Sequence, residues 1–145
     1  MNKISFKGVV LGSITDIVAT NILVIPLILY ITATRHLDSI PKEQFSEVLL
    51  QTLKNDPLLH TTQLLIGSFC SILGGYIAAR VAKHDEVLNG TLAAFLCVGS
   101  GLYALIFTSS HVPVWQHLVV FVASPALSAF GGYLCLRAMR VKSIA

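Results

Sequence analysis

Apolar positions in this chain neither alternate nor form narrow stripes; they come in four long runs, at about 8–33, 61–82, 87–107 and 114–139. About 30 Å of hydrocarbon is crossed by roughly 20 apolar residues at about 1.5 Å each, so every run is long enough for a transmembrane helix. Residues 87–136 hold no Asp, Glu, Lys or Arg. As one helix that stretch would be about 75 Å long, so it must turn back. Thr108-Ser109-Ser110-His111-Val112-Pro113 supplies the breakers. The pattern predicts an all-α polytopic membrane protein, with four transmembrane helices in a single domain over 1–145. An even number of spans places both termini on one side.

The polar stretch at 35–60 carries a different period. Ser39 is positioned to cap a helix with Pro41 in its first turn, and Phe45, Val48, Leu49 and Leu53 then share a face. Asn55-Asp56-Pro57 ends the element. A short amphipathic helix at about 40–54, lying on the outer membrane surface, is the expectation.

Composition strengthens the membrane reading. Of 145 residues, 54% are hydrophobic and only 12% charged, about half the usual charged fraction, and the mean hydropathy is +0.77. That excludes a soluble enzyme, a nucleic-acid module and a secreted disulfide scaffold. The formal net charge of +3 becomes informative once sorted by position. Lys3, Lys7, Arg80, Lys83, Arg137, Arg140 and Lys142 fall on the side of the termini, against Asp85 and Glu86. Arg35, Lys42 and Lys54 fall on the other, against Asp38, Glu43, Glu47 and Asp56. Positive charge accumulates on the cytoplasmic side, so both termini are expected there. Tyr30 and Trp115 then sit near the outer ends, where amphipathic rings favour the headgroup layer. The first run is too long for the core of a cleavable signal and contains an acid, so it is read as a retained span.

The chain also repeats itself. Shifted by 57 residues, Gly67, Ser71, Gly74, Gly75, Tyr76, Arg80 and Lys83 meet Ser124, Ser128, Gly131, Gly132, Tyr133, Arg137 and Arg140. The second and fourth spans run in the same direction, so this is a parallel hairpin repeat. Gly8-x-x-x-Gly12 pairs more loosely with Gly90-x-x-x-Ala94. In lipid, small residues four apart let helix backbones approach, and these stripes are candidate packing faces. They imply a homo-oligomer or a membrane-protein partner besides the lipid bilayer, and no nucleic acid.

Gly74-Gly75-Tyr76-Ile77-Ala78-Ala79-Arg80-Val81-Ala82-Lys83-His84, followed by Glu86-Val87-Leu88-Asn89-Gly90, resembles a signature of uncharacterised small four-span bacterial membrane proteins. An Asp near the middle of the first span is also familiar there. The resemblance implies a bacterial inner-membrane origin and a four-helix unit, and it implies no activity.

Asp16 is the one formally charged side chain at depth, about 12 Å from the cytoplasmic end of its span. A central Asp costs roughly 2.5–3.5 kcal/mol to insert, so it must face a partner or water. Gly8, Gly12 and Asp16 share a face. Thr20 and Asn21 extend the polar chemistry, and Pro26 frees a carbonyl near Ile22. Matching depths from Lys83 brings Gly75 with Tyr76, and Gly132 with Tyr133, to the level of Asp16, with Arg80 one turn nearer the cytoplasm. A polar site of Asp16, Asn21, Tyr76, Arg80 and Tyr133 is therefore expected, with the paired glycines leaving room for a small ligand or water. Its functional reading is a titrating or cation-binding acid in a small transport or channel unit. Its structural reading is a hydrogen-bonded Asp that locks helices together, as in a helix-docking subunit.

Other chemistry is sparse. His36, His60, His111 and His117 map to the outer face without ligand spacing, so they read as interfacial residues and no metal or other cofactor is expected. Cys70, Cys97 and Cys135 read as small packing residues. There is no phosphate loop, nucleophile elbow or paired carboxylate, so an enzyme is not expected.

Overall fold

The computed structural model describes residues 4–107 and 114–144, and among them the side chains of all but 38, 100–107, 114–118, 120 and 142–144. The breakers at 108–113 with His111, and the side chains of Trp115, His117 and Lys142, lie outside the described residues. The chain is helical: α1 (Phe6–Thr34), a 3-10 turn (Leu37–Ser39), α2 (Lys42–Asn55), α3 (Pro57–Ala82), α4 (Glu86–Phe107) and α5 (Val114–Ile144). No strand occurs among the described residues. Two helices, α1 and α3, are long and apolar enough over described residues to cross a membrane. The helices divide into two compact units, residues 1–18 with 68–145, and residues 19–67.

The second unit is held by a small apolar cluster. Ile31, Leu37, Leu53 and Leu59 are buried in it, and Leu27, Ile40, Phe45, Val48 and Leu49 pack around them. The apolar face of α2 is thus covered by side chains of α1 and α3. Of the face read as amphipathic, Leu53 is buried in this cluster and Phe45, Val48 and Leu49 are half-buried against it. Ser39 does not cap α2; its hydroxyl donates to the His36 carbonyl, and Pro41 occupies the capping position with no side-chain bond. His36 takes the left-handed conformation at φ 52°, which turns the chain out of α1. At the far end, Asp56 closes α2 and opens α3. Its backbone N–H donates to Thr52, while its Oδ1 accepts from the N–H of Leu58 at 3.0 Å, and Pro57 takes the first helical position. Arg35 pairs with the same carboxylate at 2.9 Å.

The first unit is a ring of four helices glued by glycine. A methyl group built on Gly12 would stand 2.6 Å from the Gly74 carbonyl oxygen, and one on Gly8 would stand 2.7 Å from that of Ala78, so α1 lies backbone to backbone on α3. Gly75 faces the Ser128 carbonyl and Gly131 the Ile72 carbonyl, joining α3 to α5. Gly132 faces the Glu86 carbonyl, and Ser128 donates to the Gly90 carbonyl at 2.7 Å, joining α5 to α4 in antiparallel fashion. Ser13 donates to the Ala93 carbonyl at 2.8 Å, which closes the ring between α4 and α1.

The glycine doublets explain themselves here. Consecutive helix positions are about 100° apart, so Gly74-Gly75 clears one face for α1 and the next for α5. Gly131-Gly132 does the same for α3 and α4. The predicted stripe does not extend to Gly67, where an added methyl meets nothing within 4 Å. Ser124 is half-buried.

Candidate functional site

The glycine contacts decide where Asp16 points. With Gly8 and Gly12 pressed against α3, the same face of α1 carries Asp16 into the bundle, where it is 8% exposed. A methyl at Gly74 would lie 2.8 Å from the Asp16 Cβ, so this layer is filled by backbone and by the acid itself. The expected room for a ligand beside the paired glycines is not there: Asp16 and Gly12 occupy the space at Gly74, and Ser128 that at Gly75.

Three helices supply the surroundings of the acid. From α3, the Ser71 hydroxyl donates to Asp16 Oδ2 at a long 3.5 Å. From α4, the Cys97 thiol donates to the Ser13 carbonyl oxygen of α1 at 3.8 Å, about one turn from the acid. Asn89, Ala93 and Cys97 are spaced by four on α4 and meet α1 along one seam. At the mouth of that seam Asn89 is 0% exposed. Its Oδ1 accepts from the Ser5 N–H at 2.7 Å, and its Nδ2 donates to the His84 and Asp85 carbonyls at 2.9 and 3.1 Å. These bonds hold a three-residue turn in which Lys83 and Asp85 have φ of 59° and 43°, unusual for residues with a side chain.

The cluster proposed from sequence is rearranged. Ser71, expected only to pack, is the hydroxyl beside Asp16, whereas Tyr76 is half-buried and Tyr133 is 49% exposed on α5. Arg80 is exposed, and Asn21 is exposed within the other unit. Cys97, expected to be a packing residue, is a polar partner instead, while Cys70 and Cys135 are buried. Asn89 stands in the motif quoted above, where the sequence does not mark it as a site residue. The signal available for it was an amide in the first turn of an apolar helix, directly after a connection too short to satisfy its own carbonyls.

Chemically, the site offers one carboxylate and a hydroxyl donor in a layer that apolar helices surround. Among the described residues no three His, Cys, Asp or Glu side chains gather as metal ligands. Comparisons with protein-family models, curated proteins and solved structures return no match, so function rests on this geometry.

Proposed function

We propose that this chain is a multi-pass membrane protein with four spans, α1, α3, α4 and α5, acting as a small transport or channel unit in which Asp16 takes up a proton or cation. The observation that carries the reading is Asp16 itself, an acid 8% exposed inside the helix ring and supplied with a hydroxyl donor by Ser71. Acids at such depth mark ion and proton pathways.

The membrane setting is supported by which atoms face outward. A core helix of a soluble protein is mostly buried, yet only 6% of the most apolar stretch of α1 and 28% of that of α3 is buried. Ile14, Ile17, Ile22, Leu29, Leu64, Leu65 and Phe69 are exposed, as are Phe95 and Leu96 on α4 and Val122 and Phe130 on α5. Hydroxyls on these helices are satisfied locally: Thr15, Thr32, Thr62 and Thr91 each donate to the carbonyl four residues back. Lipid requires that, since it offers no other partner. The distribution of Lys and Arg favours cytoplasmic termini, and the likeness at 74–90 favours a bacterial inner membrane.

The other role suggested by small-residue stripes, docking a partner's helices, needs those residues free. Gly8, Gly12, Gly74, Gly75, Gly131 and Gly132 instead meet helices of this chain.

Reconstitution tests the proposal. Vesicles carrying the chain and an internal pH indicator should show a pH-driven flux that Asp16→Asn abolishes while its detergent stability stays within about 1 kcal/mol of the parent. Flux that persists in Asp16→Asn removes the functional role of the acid.

A further inference from the structure

Helix packing accounts for the glycine doublets of the 57-residue repeat and leaves its tyrosines and cations unexplained. On α3, Tyr76 is half-buried while Arg80 and Lys83 are exposed; on α5, Tyr133, Arg137 and Arg140 are all exposed. Residues four and seven positions apart share a helix face, so each helix carries a tyrosine followed by two cations. An exposed aromatic precedes each set on the same face. Phe69 is 61% exposed two turns before Tyr76, and Phe130 is 51% exposed one turn before Tyr133.

The two sets lie at one level. Gly75 meets Ser128 and Gly131 meets Ile72, contacts between positions 53 and 59 residues apart that bracket the repeat offset of 57. That register sets Tyr76 beside the level of Tyr133, with Arg80 and Arg137 each about 6 Å further along. Lys7 joins them at the same end, because Gly8 rests on Ala78 and Ala82. The acids at this end are Asp85 and Glu86, at the start of α4, so five cations stand against two acids. The one ion pair among the described residues is that of Arg35 with Asp56, and these cations are not neutralised by a neighbour.

We infer that the two sets are headgroup sites for anionic phospholipid, one on α3 and one on α5. Each pair of cations holds the phosphodiester, which a guanidinium matches with paired N–H donors, and the tyrosine and phenylalanine lie along the acyl chains. The order of groups along each face selects this ligand. It must be anionic at one end and apolar at the other, which a free phosphate is not, and a nucleic acid offers nothing for Phe69 and Phe130. Clustered Lys and Arg at the cytoplasmic ends of membrane helices draw acidic lipid in the same way. The inference rests on the membrane setting proposed above and is independent of what Asp16 does.

Native mass spectrometry of the full chain, released from mixed phosphatidylcholine and phosphatidylglycerol vesicles, counts the lipids retained. Two phosphatidylglycerols and no phosphatidylcholine are expected on the parent. Arg137→Gln with Arg140→Gln should retain one, as should Arg80→Gln with Lys83→Gln, each lost cation weakening its site about fivefold. Arg137→Lys with Arg140→Lys should keep both lipids. Lys42→Gln with Lys54→Gln removes the same charge from exposed positions of α2 and should also keep both. Equal retention of the two lipids, or an equal loss in the α2 variant, overturns the sites. Displacement of the lipid by inorganic phosphate, or by a short RNA, overturns lipid as the ligand. Vesicle flotation separates the two readings. A chain that floats with neither vesicle type removes the membrane setting as well, whereas one that floats without preferring phosphatidylglycerol removes only the lipid sites.

Discussion

At Asn89 the amide oxygen and both carbonyl-directed donations are used at 0% exposure, and they tie the start of α1 to the turn between α3 and α4. Removing such a side chain strands the Ser5 N–H and two loop carbonyls, and each buried group left unpaired costs about 1–3 kcal/mol. Asn89→Ala should therefore lower unfolding stability in detergent by about 2–3 kcal/mol. Asn89→Asp should recover only part, since it keeps the acceptor for Ser5 but loses the donations to His84 and Asp85. Equal stability of Asn89→Ala and the parent would show that the turn holds itself. The same local reasoning separates Asp16 from Asp56. Asp56 has an ion pair whose Arg35 side chain is exposed, and its larger contribution is the cap on α3.

At the scale of the helices, packing rests on where side chains are missing. Alanine is about 1 kcal/mol more favourable than glycine inside a helix, so glycines retained in α3 and α5 need a contact to justify them. Gly75→Ala would drive a methyl into the Ser128 carbonyl and split α3 from α5; a loss of about 1–3 kcal/mol is expected. Gly67→Ala meets nothing within 4 Å and should be neutral or up to about 1 kcal/mol stabilising. Thermal or denaturant unfolding of the two variants side by side checks this, and equal effects would refute the glycine-ring account. Much of this was readable beforehand. The doublets and the repeat identify which residues pack, but not that the two glycines of a doublet serve different neighbours, because a linear pattern does not say how many helices surround one.

For the molecule as a whole, the proposed four spans place the 83–85 turn and the α2 region on opposite sides of the bilayer. In intact, sealed vesicles of one orientation, single cysteines at Lys83 and Glu43, introduced in a chain whose own three cysteines are replaced, should label with an impermeant thiol reagent from opposite faces. Labelling of both from the same face would reduce the number of spans between them and undo the charge-based topology. The two-unit organisation also changes the picture of the polar segment, since 19–67 carries its own apolar cluster and is more than a connector.

The sequence alone determined the helices, their approximate ends and the singular position of Asp16. Those properties are local: a helix satisfies its own backbone, an unbroken apolar run shows its extent, and one acid among apolar neighbours stands out without reference to anything distant. The tertiary structure decided what Asp16 meets. Its bond from Ser71 spans 55 residues, and the Cys97 thiol reaches back to Ser13 across 84. Such partners depend on how each helix is rotated about its axis, and that rotation is set by the glycine contacts together. Depth counting reached Gly75 and Gly132, one residue from the Gly74 that meets Asp16, and chose the tyrosines as partners because they are the conspicuous polar groups there. The rotation imposed at Gly12, Gly74 and Gly75 turned a serine toward the acid instead.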